Sequence, residues 1–183
     1  MDQKNLEIIT SQFVQLMVKN CQDACIREVG VVTQTITKSV LSGLLQFVLP
    51  GVPMLLNDEK YAVTSIFTWE KIIALDWTAR KKYVTDTFDC DNFSDTFRAH
   101  AAEIYNLNSA GAFHCIVQAD NGTVNKVGHR AVLICALDEN NQLAIYAMES
   151  ETGAIGRVVK GQPIKLPVFG TTWVYSASDS SWN

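Results

Sequence analysis

Three residue types that together support nucleophilic chemistry follow one another in an order that a fold can bring into contact. Cys90 opens an apolar stripe, Cys90, Phe93, Phe97, Ala101 and Ile104, spaced by threes and fours, while Asp91, Ser94, Asp95, Arg98 and Glu103 fall elsewhere. The stripe predicts an amphipathic helix whose first buried position is a cysteine. A thiol in the first turn of a helix meets the positive end of the helix dipole, which favours the thiolate, the form that attacks carbonyl carbon. The competing reading is a buried cysteine that packs as a small hydrophobe.

A base has to come from His100, His114 or His129. His100 lies two and a half turns along the helix from Cys90 and cannot meet it. His114 sits early in its own strand and is the reserve candidate. His129 follows Gly128 and opens an apolar strand in which His129, Ala131, Leu133 and Cys135 share a face. A hairpin centred on Glu139 pairs Cys135 with Leu143, Leu133 with Ile145, Ala131 with Ala147 and His129 with Glu149. Side chains so opposed have Cβ atoms about 4.5 to 5.5 Å apart, close enough for a carboxylate to hold an imidazole in one tautomer. Centring on Asn140 puts Glu151 opposite His129, still on the same face, so the pattern leaves Glu149 and Glu151 both open.

The elements that must position these residues divide the chain. Leu6, Ile9, Phe13, Leu16 and Met17 recur at helical spacing, and a second apolar helical pattern covers residues 31–49 until Pro50-Gly51 ends it. Residues 1–55 therefore read as a helical segment. Trp69, Ile72 and Ile73 predict a further helix over 68–79 with Thr68 as its N-cap. Beyond residue 111 short apolar runs, 112–119, 129–137, 143–149 and 171–176, alternate with turns at Asp120-Asn121-Gly122 and Asp138-Glu139-Asn140-Asn141. Helices first and antiparallel strands afterwards indicate an α+β domain.

Composition narrows the function classes. With 183 residues, 48% hydrophobic and 19% charged, the chain can bury one core, and a net charge of −4 gives no basic field for nucleic acid. The most apolar stretch, 40–56, is broken by glycines and prolines and falls short of the roughly 20 residues that span a bilayer. The start of the chain is polar and of mixed sign, unlike a signal peptide, which leads to an expected cytoplasmic location. Five irregularly spaced cysteines suit free thiols in a reducing compartment.

Three stretches carry a family resemblance: Tyr83-Val-Thr-Asp-Thr-Phe-Asp-Cys-Asp-Asn-Phe-Ser94, Gly128-His-Arg-Ala-Val132 and Ile145-Tyr-Ala-Met-Glu149. Together they resemble the papain-like domain at the C-terminal end of mushroom-type fungal agglutinins and the related bacterial transglutaminase-like cysteine proteinases, over about residues 61–173. The resemblance implies Cys90 as nucleophile, His129 as base and Glu149, rather than Glu151, as the orienting acid. It also implies calcium dependence, which draws attention to Asp86, Asp89, Asp91 and Asp95. The sugar-binding repeats that precede the agglutinin domain are absent, Ser150-Glu151 follows the acid, and no glutamine stands between Gln46 and Cys90 to help bind an oxyanion.

The expected fold is thus papain-like α+β, with N-terminal helices, the nucleophile at a helix start and an antiparallel sheet after it. Residues 1–55 are expected to form an interaction or packing element and residues 56–183 the catalytic domain. The expected activity is a cysteine hydrolase cleaving peptide or amide bonds through a thioester, acting on a protein or peptide, with no required cofactor. The alternative is a catalytically silent binding or assembly module. The apolar stripes of residues 1–55 predict pairing between chains as a homo-oligomer.

Overall fold

The computed structural model describes residues 3–121 and 126–177. Helix α1, Gln3–Val29, ends where Gly30 takes a left-handed φ of 69° and its N–H bonds Ile26 O at 3.0 Å. Strand β1, Gln34–Thr37, runs straight into α2, Lys38–Val48, because Thr37 turns its hydroxyl back to the Val40 N–H. Strand β2, Lys60–Val63, pairs antiparallel with β1. Helix α3, Ile66–Leu75, is capped by Ser65 rather than Thr68, and a short 3-10 turn, Thr78–Arg80, leads toward α4, Cys90–Tyr105.

Six strands follow: β3, Ala110–Ala119; β4, Val127–Leu137; β5, Leu143–Met148; β6, Ile155–Arg157; β7, Ile164–Val168; and β8, Thr171–Ala177. They form one antiparallel sheet in the order β6-β5-β4-β3-β8-β7. The sheet curls until its two edges meet. A Cβ built on Gly156 of β6 would lie 2.9 Å from Leu166 Cδ2 and 3.5 Å from Lys165 O of β7. The edges lie side by side, and the sheet is a near-closed barrel.

Each face of the sheet has its own apolar core. Leu41, Leu45 and Val48 of α2 pack with Cys115, Leu133, Cys135, Ile145 and Tyr175 on the concave side. Phe97 and Ala101 of α4, Trp69 and Ile72 of α3 and Val29 of α1 pack with Val132, Ile134 and Met148 on the other. Strand β4 is covered on both sides, which explains its unbroken run Ala131-Val-Leu-Ile-Cys-Ala-Leu137. Among the described residues no helix is long and apolar enough to cross a membrane.

These facts correct the expected papain-like α+β arrangement of N-terminal helices followed by an antiparallel sheet. The helical region is interrupted by β1 and β2, and the antiparallel strands close on themselves. The physical reason is the closure of β6 on β7: β6 has only three residues, too few to show alternation, and the pairing of sheet edges is not encoded by the alternation Ile164, Leu166, Val168 of β7. Gly122 of the expected Asp120-Asn121-Gly122 turn lies outside the described residues, as do the side chains of Leu6 and Ile9.

Candidate functional site

The β4–β5 register is centred on Asn140: Cys135 lies opposite Ile145 and Leu133 opposite Ala147, and pairing ends at Val132 with Met148. Of the two centres that the sequence leaves open, Glu139 and Asn140, the register takes the second. Asp138 builds the longer turn, its Oδ1 accepting from the N–H groups of Asn140 at 2.9 Å and Gln142 at 3.0 Å. Centring on Asn140 would put Glu151 across from His129, yet Glu149 is the residue that reaches it. On the same face Glu149 is diagonal to His129, a distance long side chains cover. The chain then turns away, with Gly153 N–H on Glu149 O at 2.7 Å.

Glu149 is a fully buried carboxylate, 0% exposed. Its Oε2 meets His129 Nε2 at 2.7 Å and accepts from the Tyr175 hydroxyl at 2.7 Å, and its Oε1 accepts from the Glu151 N–H at 3.2 Å. With Nε2 engaged, the rest of the ring lines a cleft that it shares with the Cys90 side chain. Trp173 closes one side of the ring, edge-on at 5.6 Å. Burial disfavours the imidazolium, but the hydrogen bonds and charges of Cys90 and Glu149 outweigh it and push the His129 pKa up to about 10. Burial, and next the Glu149 charge, push Glu151 up to about 7. Burial and Glu149 together raise the Tyr175 hydroxyl far above its ordinary range, so it remains a donor.

Cys90 occupies the first turn of α4, where Asn92 accepts from the Asp89 N–H at 3.3 Å and Asp91 accepts from the thiol at 3.5 Å. The sulfur faces a cleft of about 240 Å³ lined by Cys90, Asp91, His114, Cys115, His129 and Arg130, with Ile116 and Gly128. His114 and Arg130 are opposite one another on β3 and β4. Among the described residues neither His114 Nε2 nor Arg130 Nε, both buried, has a hydrogen-bond partner. Burial and the Arg130 charge hold the His114 pKa down.

His100 meets Asp76 instead of Cys90, Nδ1 to Oδ2 at 2.7 Å. Tyr175, Trp173 and Arg130 were not among the sequence candidates. β8 arrives beside β3 across a long connection, so only the topology makes Tyr175 a neighbour of Glu149.

The acidic run at the start of α4 holds one close group of potential ligand atoms among the described residues. Asp89, Cys90 and Asp91 bring ligand atoms within 4.8 Å of one another, but a thiol is a poor partner for a cation that takes six to eight oxygens. Asp95 is committed to Arg98 at 3.0 Å and Arg130 at 3.1 Å.

No family model and no curated protein matches the chain. Solved structures do. A PSL1a–E64 complex matches with a TM-score of 0.51 and 16% identity, covering 67% of this chain and 46% of that one. Polyporus squamosus lectin bound to the human-type influenza-binding epitope Neu5Aca2-6Galb1-4GlcNAc matches with a TM-score of 0.50 and 17% identity, covering 68% of this chain and 48% of that one. The chain spans about half the length of the solved structures it matches. These matches correct the expectation of a papain-like peptidase or amidohydrolase working through a thioester, since the fold is one found in a lectin. In fold, the chain is similar to part of Polyporus squamosus lectin.

Proposed function

We propose that the chain is a ligand-binding module whose cleft at the start of α4 takes a small organic ligand bearing a carboxylate. The observation that carries this reading is the convergence of positive and donor groups on one cleft. Cys90 and the buried Glu149 carboxylate push the His129 pKa up to about 10, Arg130, paired with Asp95 through its terminal nitrogen, keeps a buried Nε with no partner among the described residues, and the first turn of α4 borders the cleft at Cys90 and Asp91. The Asp91 carboxylate at the rim weighs against a second negative charge on the ligand. Cys90, His129 and Glu149 serve here as sulfur contact, charged contact and positioning carboxylate. The two similar structures supply probes, E64 from the PSL1a complex and the sialylated glycan from the lectin.

Titration calorimetry and intact-mass measurement on the full chain test the reading. E64 is expected to bind the natural chain, and Cys90→Ala and His129→Asn are expected to lose it. Equal binding by both variants, or binding of the glycan alone with no dependence on Cys90, overturns the reading. All five thiols are free, which suits a reducing, cytoplasmic setting.

A second role is favoured by a separate observation. The first half of α1 stands clear of the body, and Phe13 and Leu16 are 61% and 57% exposed, with Val14, Met17 and Val18 also open. A helix of about 15 residues with no partner is marginal in water, so this half is an assembly element that pairs with another copy of the chain. In this reading the interaction role of residues 1–55 rests on α1, beside the body formed with residues 56–183. Light scattering should show an oligomer for the natural chain and a monomer for Phe13→Glu with Met17→Glu. A monomeric natural chain rejects it.

A further inference from the structure

We infer a second binding site, independent of the cleft at Cys90 and of the reading given for it, which takes a small molecule with an apolar body and a primary amine head. A cavity of about 410 Å³ opens between α2, the segment around Leu56 and Asp58, the middle of α4 and the concave face of the sheet. Leu45, Leu133, Cys135 and Ile145 give it an apolar floor, and Ala99 and Ala102 of α4 give it a low wall. These alanines lie nine and twelve residues beyond Cys90, roughly 13 to 18 Å along the helix at about 1.5 Å per residue.

The polar groups of this cavity are arranged unlike those of the first cleft. Ser109 is 4% exposed, lines the cavity, and its Oγ has no hydrogen-bond partner among the described residues. A buried hydroxyl in a native protein is nearly always paired, so an unpaired one on a cavity wall marks a place for a ligand atom. Its position is fixed by its surroundings. Ser109 O accepts from the Cys135 N–H at 2.9 Å. The neighbouring Asn108 accepts from the Ala62 N–H at 2.7 Å and donates to Asp58 Oδ2 at 2.9 Å and Lys60 O at 3.0 Å. Such a segment is already set before a ligand arrives.

At the mouth the free groups are acceptors. Asp58 is exposed, whereas the cation of the cavity lining, Arg98, is taken up by Asp95 at 3.0 Å and Ala110 O at 3.4 Å. A carboxylate head would meet the Asp58 charge, with the lining's Arg98 already paired. An ammonium head meets Asp58 favourably and can donate to Ser109 Oγ, while the alkyl body covers the leucines and Cys135.

Calorimetry on the full chain with hexylamine, 1-hexanol and hexanoate separates the head groups. Hexylamine should bind most tightly, hexanol more weakly and hexanoate not at all. Ser109→Ala should weaken hexylamine by about tenfold, the worth of one hydrogen bond, without lowering the melting temperature, because the hydroxyl it removes is unpaired. Ala102→Trp should block the cavity, and Cys90→Ala should bind hexylamine as the natural chain does. Hexanoate binding as tightly as hexylamine, no binding of hexylamine, or Ser109→Ala lowering the melting temperature while leaving hexylamine binding intact would each overturn the site.

Discussion

Two histidine–carboxylate pairs of the same length, 2.7 Å, lie in different parts of the molecule and do different things. His100 and Asp76 join the end of α3 to α4. Asp76 Oδ1 also accepts from the Thr78 N–H at 2.8 Å, Thr78 Oγ1 is 3.4 Å from the imidazole, and Trp77 covers the ring at 4.6 Å. These bonds tie the pair into local structure, and although Asp76 also lines a cleft of about 370 Å³, the His100 ring does not. His129 and Glu149 are more deeply buried, yet the face of His129 turned from Glu149 meets Cys90 and an open cleft. An imidazole beside a carboxylate is therefore no evidence of a site. The remaining face of the ring decides.

The comparison breaks most readily at Glu149. Glu149→Ala removes the only carboxylate bound to a buried imidazolium and should cost about 3 to 5 kcal/mol in urea unfolding, with E64 binding lost. Asp76→Ala leaves the Thr78 N–H and His100 without their partner and should cost about 1 to 3 kcal/mol. It should leave E64 binding unchanged, and loss of binding there would erase the distinction between the pairs. Tyr175→Phe, which removes one of three hydrogen bonds to Glu149, should cost about 1 kcal/mol.

The pH dependence is a finer test. The folded pKa of His129 is raised from 6.5 to about 10, so its contribution to stability is complete below pH 6.5 and is lost as pH rises through 10. Glu151 is raised from 4.5 to about 7, so its folded form also binds the extra proton, and stability falls as pH climbs from 4.5 through 7. Thermal melts of Glu151→Gln should lose the lower step and keep the upper one. A profile unchanged by this substitution would remove Glu151 from the cluster.

Much of this geometry was legible before any coordinates. The stripe beginning at Cys90 sets α4 correctly, and period-two alternation puts His129 and Glu149 on one face whichever hairpin centre is chosen. The pattern leaves the centre open between Glu139 and Asn140, because Asp138 builds its turn through side-chain bonds that periodicity does not encode. Parity protects the facing of the residues, because moving the centre by one residue moves each pairing by two. Tyr175 and the closure of β6 on β7 were hidden for a different reason. Both depend on strands far apart in the chain, and β6 has only three residues. The two apolar helical patterns near the start also look alike in sequence, although α2 is folded into the core and most of α1 is exposed.

The central claim is that the His129 pair, and not the His100 pair, faces ligand. Ring-proton and ring-nitrogen NMR of both histidines in the full chain, recorded with and without E64, reads this directly. E64 should shift the His129 resonances and leave those of His100 in place. Movement of His100 alone, or of neither ring at saturating E64, would contradict the account.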